Sequence, residues 1–344
     1  MTHRIRGWGL LLLLLFSLLP LSCASPVRAV GTADIGMSVR MGGTDPATVA
    51  RQFDLMAQMK VKWVRTDFDW SWIEQNRGQF DWGYPDLIVK EASARGMKVL
   101  ALLTYTPAWA REPNTTSHAP PADAAQFAAF AAAAAERYAR RGVRHWEIWN
   151  EPNAREFWEP KPDADRYGEL FGAAAAAVRK VDPDATLLTG GLTRGGDAPD
   201  GSLVSQTTYL ERLYGNGTAQ QADAVAVHPY SFPFLPMQPN QEIGGFRGLP
   251  EVHDLMSRHG DGDKKIWITE FGAPTGTGPA AVSEDAQAEA IVQAREQVQG
   301  WSWAGPLFYF ELRDGGDDRG DLHQNFGVLH RDLRPKLSGE ALLD

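Results

Sequence analysis

The chain has 344 residues, 43% hydrophobic and 22% charged, a balance that excludes a disordered or collagen-like chain and suits one folded domain of α/β-barrel size. A net charge of −9 with no basic cluster is wrong for nucleic-acid binding, because phosphate contacts need several Lys or Arg side chains. The single cysteine excludes a disulfide framework and a cysteine-based zinc site.

Residues 1–29 read as an export signal. Arg4 and Arg6 form a basic start, Leu10 to Phe16 is unbroken and apolar, and the small residues Ser22, Ala24 and Ala29 follow. The apolar stretch is too short to span a bilayer, and no second one occurs, so no integral membrane domain is expected. Cys23 stands where a lipoprotein signal places its acylated cysteine, but Pro20 occupies a position where Leu is usual. The expectation is therefore a secreted or cell-surface protein cleaved after Ala24 or Ala29, with one catalytic domain over 30–344, acting as a monomer.

In chain order, an apolar run at 35–39 is followed by a helix opening at Asp45-Pro46, an N-cap with proline at the first helical position. Val49, Phe53 and Met56 share one face of it. A strand at 63–67, a helix at 87–95 closing on Gly96, and a strand at 99–103 come next. The Ala-rich stretch 122–141 carries Phe127, Phe130 and Tyr138 and predicts a packed helix rather than low complexity. A strand at 146–149, a helix at 163–180 and a strand at 187–190 follow. The glycines at 190–196 lack the spacing and the Lys-Ser/Thr ending of a phosphate loop and read as a plain loop. Then come a helix at 209–214, a strand at 224–227, a long Pro- and Gly-bearing loop at 231–248 and a helix at 252–259. A strand at 266–269, a helix at 283–299 and a strand at 307–310 complete the pattern. Eight buried strands alternating with helices predict a single-domain (β/α)8 barrel.

A barrel carries its chemistry at the C-terminal ends of its strands. Those ends read Arg65 and Asp67; Tyr105 and Trp109; Asn150 and Glu151; His228 and Tyr230; Glu270; Glu311 and Arg313. Two carboxylates at two strand ends suit paired acid/base and nucleophile work. Glu147, inside the fourth strand, reads as a structural carboxylate paired with a basic side chain. Trp70, Trp72, Trp109, Trp149 and Trp158 fall at or beyond strand ends, where their rings suit stacking on a bound ligand, whereas Trp63, Trp146 and Trp267 read as core. His145, at the start of its strand, is given no role. No His-Glu-x-x-His or EF-hand pattern occurs, so neither metal nor cofactor is expected.

The segments Trp146-Glu147-Ile148-Trp149-Asn150-Glu151-Pro152-Asn153 and Ile266-Trp267-Ile268-Thr269-Glu270-Phe271-Gly272 resemble the two active-site strands of clan A glycoside hydrolases. With Arg65-Thr66-Asp67-Phe68-Asp69-Trp70, Thr104-Tyr105-Thr106-Pro107-Ala108-Trp109 and Asn325-Phe326-Gly327-Val328-Leu329, the chain is similar to glycoside hydrolase family 39 and related bacterial exopolysaccharide hydrolases. The resemblance implies a retaining glycosidase that hydrolyses O-glycosyl bonds of a poly- or oligosaccharide. Glu151 would be the acid/base and Glu270 the nucleophile. Arg65 would hold Glu270 ionised, and Asn150 would bind the hydroxyl beside the reacting carbon. Tyr230 would orient the nucleophile and His228 would bind sugar hydroxyls. The eighth strand departs from the clan, with Phe310-Glu311 where a Trp platform is usual; Glu311 would bind sugar or pair with Arg313. A transglycosylase, and a carbohydrate-binding barrel without turnover, are the competing readings.

Overall fold

The structure is a computed structural model that describes residues 1–2 and 34–343. Met1–Val30 and Gly31–Asp344 form separate units. The expected export signal lies almost entirely outside the described residues. Among the described residues no helix is long and apolar enough to cross a membrane.

The strands are β1 (Ile35–Ser38), β2 (Trp63–Asp69), β3 (Lys98–Thr104), β4 (His145–Asn150), β5 (Thr186–Thr193), β6 (Ala224–His228), β7 (Lys265–Phe271) and β8 (Ala304–Tyr309). They pair in sequence order, all parallel, and β8 closes on β1. The helices are α1 (Pro46–Gln58), α2 (Trp70–Ile73), α3 (Gly83–Ala94), α4 (Ala124–Tyr138) and α5 (Ala164–Val181), then α6 (Gln206–Gly215), α7 (Thr218–Gln221), α8 (Leu249–Arg258), α9 (Glu284–Gln299) and α10 (Leu337–Leu343). This is a (β/α)8 barrel, as the alternation predicts.

Local chemistry starts the helices where the sequence places them. The Asp45 carboxylate accepts from the Thr48 amide, and Asp163 accepts from the amides of Asp165 and Arg166. Ser283 does the same for α9 through the Ala286 amide. The alanines of α4 and α5 let the two helices pack closely, with Phe127, Phe130 and Tyr138 buried beneath. The 190–196 loop is a correction: Gly190 and Gly191 lie inside β5. A Cβ on Gly190 would sit 2.6 Å from the Trp149 carbonyl oxygen, and one on Gly191 would sit 2.1 Å from the His228 ring. Glycine is there for close approach across the sheet, not for a turn.

Side chains facing the barrel axis change character from floor to mouth. Trp63, Leu100, Leu188, Ala226, Trp267 and Phe308 form an apolar floor. Arg65, Glu147, His228 and Thr269 form a buried polar layer. Along β2 the inward positions are Trp63, Arg65 and Asp67, two residues apart as a strand requires. The second, larger core lies between strands and helices and takes Trp146 and Ile148 of β4.

Candidate active site

β4 breaks its own alternation. Trp146 and Ile148 point out to the helices, so a regular strand would send Asn150 the same way. Trp149 instead adopts φ 71° and Glu151 φ 43°, the left-handed region that non-glycine residues rarely occupy. The reversal brings the Asn150 amide oxygen 3.0 Å from Arg65 Nη2 and carries Glu151 to the barrel mouth. Asn153 fixes the following turn: its amide donates to the carbonyls of Thr193 and Val204 and accepts from the Thr193 amide. Strain of this kind gathers where a site needs an unusual aim.

Arg65 is the hub. Its Nη1 donates to Glu270 Oε1 at 2.6 Å and its Nε to Glu147 Oε2 at 2.6 Å. Glu147 is thus the paired structural carboxylate expected from sequence; it also accepts from the Gly191 amide and the Thr269 hydroxyl. Tyr230 Oη donates to Glu270 Oε2 at 2.6 Å. Burial opposes ionisation of Glu270, but the positive charges of His228 and Arg65 and the Tyr230 hydroxyl hold its pKa below the ordinary carboxylate value. Glu151 goes the other way. Burial, reinforced by the negative charge of Glu270, raises it.

His228 departs from expectation. It is wholly buried, and both ring nitrogens are spoken for, so it offers nothing to a sugar hydroxyl. Nδ1 lies 2.7 Å from Glu151 Oε1 and Nε2 lies 3.0 Å from Thr269 Oγ1. Thr269 already donates its proton to Glu147, so its oxygen accepts from His228 Nε2–H. One proton lies between Nδ1 and Glu151 Oε1: on Nδ1 it makes the ring cationic, a form that burial opposes and the negative charges of Glu270 and Glu151 favour, and on Glu151 it leaves the ring neutral with a bare Nδ1.

Arg65, Asp67, Asn150, Glu151, Tyr230 and Glu270 line one cavity of about 430 Å³. Three expectations fail in position. Trp109 is not in its wall: the indole donates to the Glu74 carbonyl and packs edge-on against Trp70. Glu311 is buried behind the wall and pairs with Arg40, at 2.8 and 2.5 Å, not with Arg313. Trp70, Trp149 and Trp158 are buried core, so of the stacking candidates Trp72 alone stays largely exposed. The cavity's aromatic walls are Tyr105, Phe157, Tyr230, Phe232, Phe310 and Phe326. Arg40, just past β1, and the loop residue Phe157 were not foreseen. A basic residue two positions beyond a strand end was the one available signal for Arg40. Arg194 also lines the wall; its guanidinium is taken up by the carbonyls of Tyr230 and Phe232 and by Glu242.

Glu151, His228 and Glu270 each present one atom within 4.8 Å of the others, a spacing that could hold a cation. Those atoms are already bound to one another, to Thr269 and to Tyr230, and the Arg65 guanidinium supplies positive charge beside them.

The family model described as cellulase (glycosyl hydrolase family 5) matches residues 28–305. The chain belongs to this family. No curated protein matches it. Among solved structures, this family 5 chain resembles a family 39 glycoside hydrolase from Bacteroides cellulosilyticus WH2, at 24% identity and a TM-score of 0.72. The match covers 90% of this chain and 62% of the Bacteroides chain, so the protein spans less than two thirds of that enzyme's length. A monomeric β-xylosidase from Caulobacter crescentus CB15 matches at 20% identity and TM-score 0.67, over 92% of this chain and 68% of its own. A glucosidase from Croceicoccus marinus matches at 18% and 0.69, over 92% and 68% respectively. At these identities the likeness is one of fold, and it is the barrel that family 39 resemblance predicts.

Proposed function

We propose that the protein is a secreted retaining glycosidase that hydrolyses O-glycosidic bonds of an oligo- or polysaccharide by double displacement. Glu270, held as a carboxylate, attacks the anomeric carbon. The glycosidic carbon–oxygen bond breaks, and its electron pair leaves with the oxygen, which takes the proton of Glu151. Water then attacks the glycosyl-enzyme and gives a proton to Glu151, and the ester bond to Glu270 breaks. Once Glu270 is esterified its negative charge no longer raises the pKa of Glu151, which then ionises more readily, as its second task as base requires.

The observation that carries this reading is the pair itself. Two buried carboxylates present oxygens within 4.8 Å of each other, and their surroundings push their pKa values in opposite directions. Retaining enzymes hold their carboxyl groups ~5–5.5 Å apart, whereas inverting ones leave ~6.5–9.5 Å for a water. Secretion is supported by the basic, apolar and small-residue order of the first 29 residues.

The test compares wild type and Glu270→Ala on aryl mono- and diglycosides, with and without azide. Wild-type turnover, its loss in the variant and recovery as an azido sugar of inverted configuration are expected. Full activity in Glu270→Ala would remove Glu270 as nucleophile.

A further inference from the structure

We propose that His118 is a positioning residue for the general acid. It stands behind the cavity wall, clamps the turn that follows Glu151, and so sets where the Glu151 carboxyl points. This role rests on the glycosidase reading above and adds to it what keeps the acid aimed.

The turn after β4 carries the acid at its start and a piece of the cavity wall at its end. The Ala154 amide donates to the Glu151 carbonyl at 3.0 Å, and the Phe157 amide donates to the Ala154 carbonyl at 3.0 Å. Glu156 and Phe157 then line the cavity together with Glu151. Two consecutive carbonyls of this turn are gripped by side chains from outside it. Trp149 Nε1 donates to the Phe157 carbonyl at 2.8 Å, and His118 Nδ1 lies 2.6 Å from the Glu156 carbonyl oxygen. A carbonyl only accepts, so Nδ1 carries the hydrogen of that bond.

His118 belongs to a different loop, the one after β3, and that loop is firmly built. The Thr106 amide donates to the Ser117 carbonyl, and the Arg111 guanidinium donates to the carbonyls of Thr106 and Thr115. A second clasp joins the same two loops: the Glu159 carboxylate accepts from the amide and the hydroxyl of Thr116. The His118 ring also packs against two aromatics of the wall. Its centre lies 4.3 Å from that of Tyr105 and 5.3 Å from that of Phe157.

Both contacts lead to Trp149. Tyr105 meets its indole edge-on at 5.6 Å, and Phe157 holds its N–H. Trp149 and Glu151 are the two residues at this strand end with positive φ, and such a backbone persists outside glycine only where its surroundings hold it. Without His118 the turn loses its outer support and the reversal that aims Glu151 relaxes. Glu270 is held from other strands by Arg65 and Tyr230 and keeps its place. The lesion should therefore fall on the acid and spare the nucleophile.

Leaving-group chemistry separates those two. A positioned acid contributes about 10²–10⁴-fold where the leaving oxygen is basic, and little where the leaving group departs as a stable anion. The experiment takes 2,4-dinitrophenyl, 4-nitrophenyl and phenyl β-glycosides of glucose, xylose, galactose and mannose, and compares wild type with His118→Ala and His118→Gln. For the accepted sugar, His118→Ala should lower kcat/KM about tenfold or more on the phenyl glycoside and stay within about twofold of wild type on the dinitrophenyl one. His118→Gln, which keeps a donor near the Glu156 carbonyl, should fall between the two proteins on the phenyl glycoside. Azide needs no base, so it should speed turnover of the dinitrophenyl glycoside by His118→Ala and give an azido sugar of retained configuration. His118 is half-buried on a loop, and melting temperatures near that of wild type are expected for both variants. A loss of equal size for every leaving group, or no loss for any, would overturn the inference and leave the glycosidase reading standing. A wild type that cleaves none of the aryl glycosides would overturn both.

Discussion

At the residue scale, the proton between Glu151 and His228 is where structure turns into rate. Its position depends on a group that never meets substrate. Thr269 spends its hydroxyl proton on Glu147 and so commits His228 to carry hydrogen on Nε2. Thr269→Val leaves that N–H without an acceptor. The neutral ring then moves its hydrogen to Nδ1 and donates to the Glu151 carboxylate, which stabilises the ionised form. The proposed double displacement requires Glu270 ionised and Glu151 protonated, so it predicts a bell-shaped pH profile. The acid limb lies below the ordinary glutamate pKa of 4.5 and the basic limb above it. Thr269→Val should shift the basic limb to lower pH and leave the acid limb in place. Tyr230→Phe should do the converse, moving the acid limb to higher pH because Glu270 loses a donor to its charged form. Removing a hydrogen bond to a charged group costs about 1.5–3 kcal/mol, so kcat/KM should fall about 10- to 100-fold. That Glu151 and Glu270 meet in one cavity was legible because their flanking residues mark strand ends. The burial of His228 was not, since the polar partners that enclose it come from β4 and β7 and leave no mark on the sequence around residue 228. Trp109 failed for the same reason: a strand-end position does not say which way a loop side chain turns.

At the element scale, β5 is the strand whose composition works against it, and the conflict has a cause in the site. Glycine weakens a strand by conformational entropy. Gly191 is tolerated because any Cβ there would collide with His228. Gly191→Ala should therefore displace the imidazole from Glu151 and lower kcat/KM at least tenfold. Comparing its melting temperature with wild type separates the two effects, for the lesion is expected in turnover well before global unfolding. By contrast, Asp163→Ala, at the exposed start of α5, touches stability alone. Loss of an N-cap costs about 1 kcal/mol, a drop of roughly 2–4 °C for a larger domain, with kinetics unaltered. The elements were mostly readable: eight apolar runs gave eight strands, and Asp45, Asp163 and Ser283 marked their helix starts. The errors cluster where glycine serves packing. By pattern the end of β5 reads as a loop and β8 starts only at Leu307, past Gly305, where a Cβ would meet the Trp267 ring at 2.6 Å. The short α2, α7 and α10 hold too few residues to show helical periodicity.

At the scale of the whole molecule, the barrel separates its catalytic mouth from a floor that governs stability. His145 sits on that floor, edge-on to Trp63 at 4.6 Å between ring centres and 5.7 Å from Trp267. Burial, helped by the positive charge of Lys98, pushes its pKa down to about 4 from 6.5. Between those values the unfolded chain binds a proton that the folded chain refuses. Stability from the neutral ring is therefore full above pH 6.5, declines as pH falls, and is gone below about 4. Glu270, whose pKa is held down, acts in a separate window, since its contribution fades only below 4.5. A variant with an uncharged ring isolates the histidine. His145→Phe should keep a melting temperature near that of wild type at pH 7 and lose less on acidification to pH 4.5. Thermal unfolding at half-unit steps across that range measures the difference. Parallel decline of the two proteins would mean that the floor histidine has no part in acid sensitivity, and that the carboxylates around Arg65 set it instead. The outcome also bears on the activity profile. If the floor gives way on acidification before Glu270 is protonated, the acid limb reports unfolding, and His145→Phe should then extend activity to lower pH without touching the mouth.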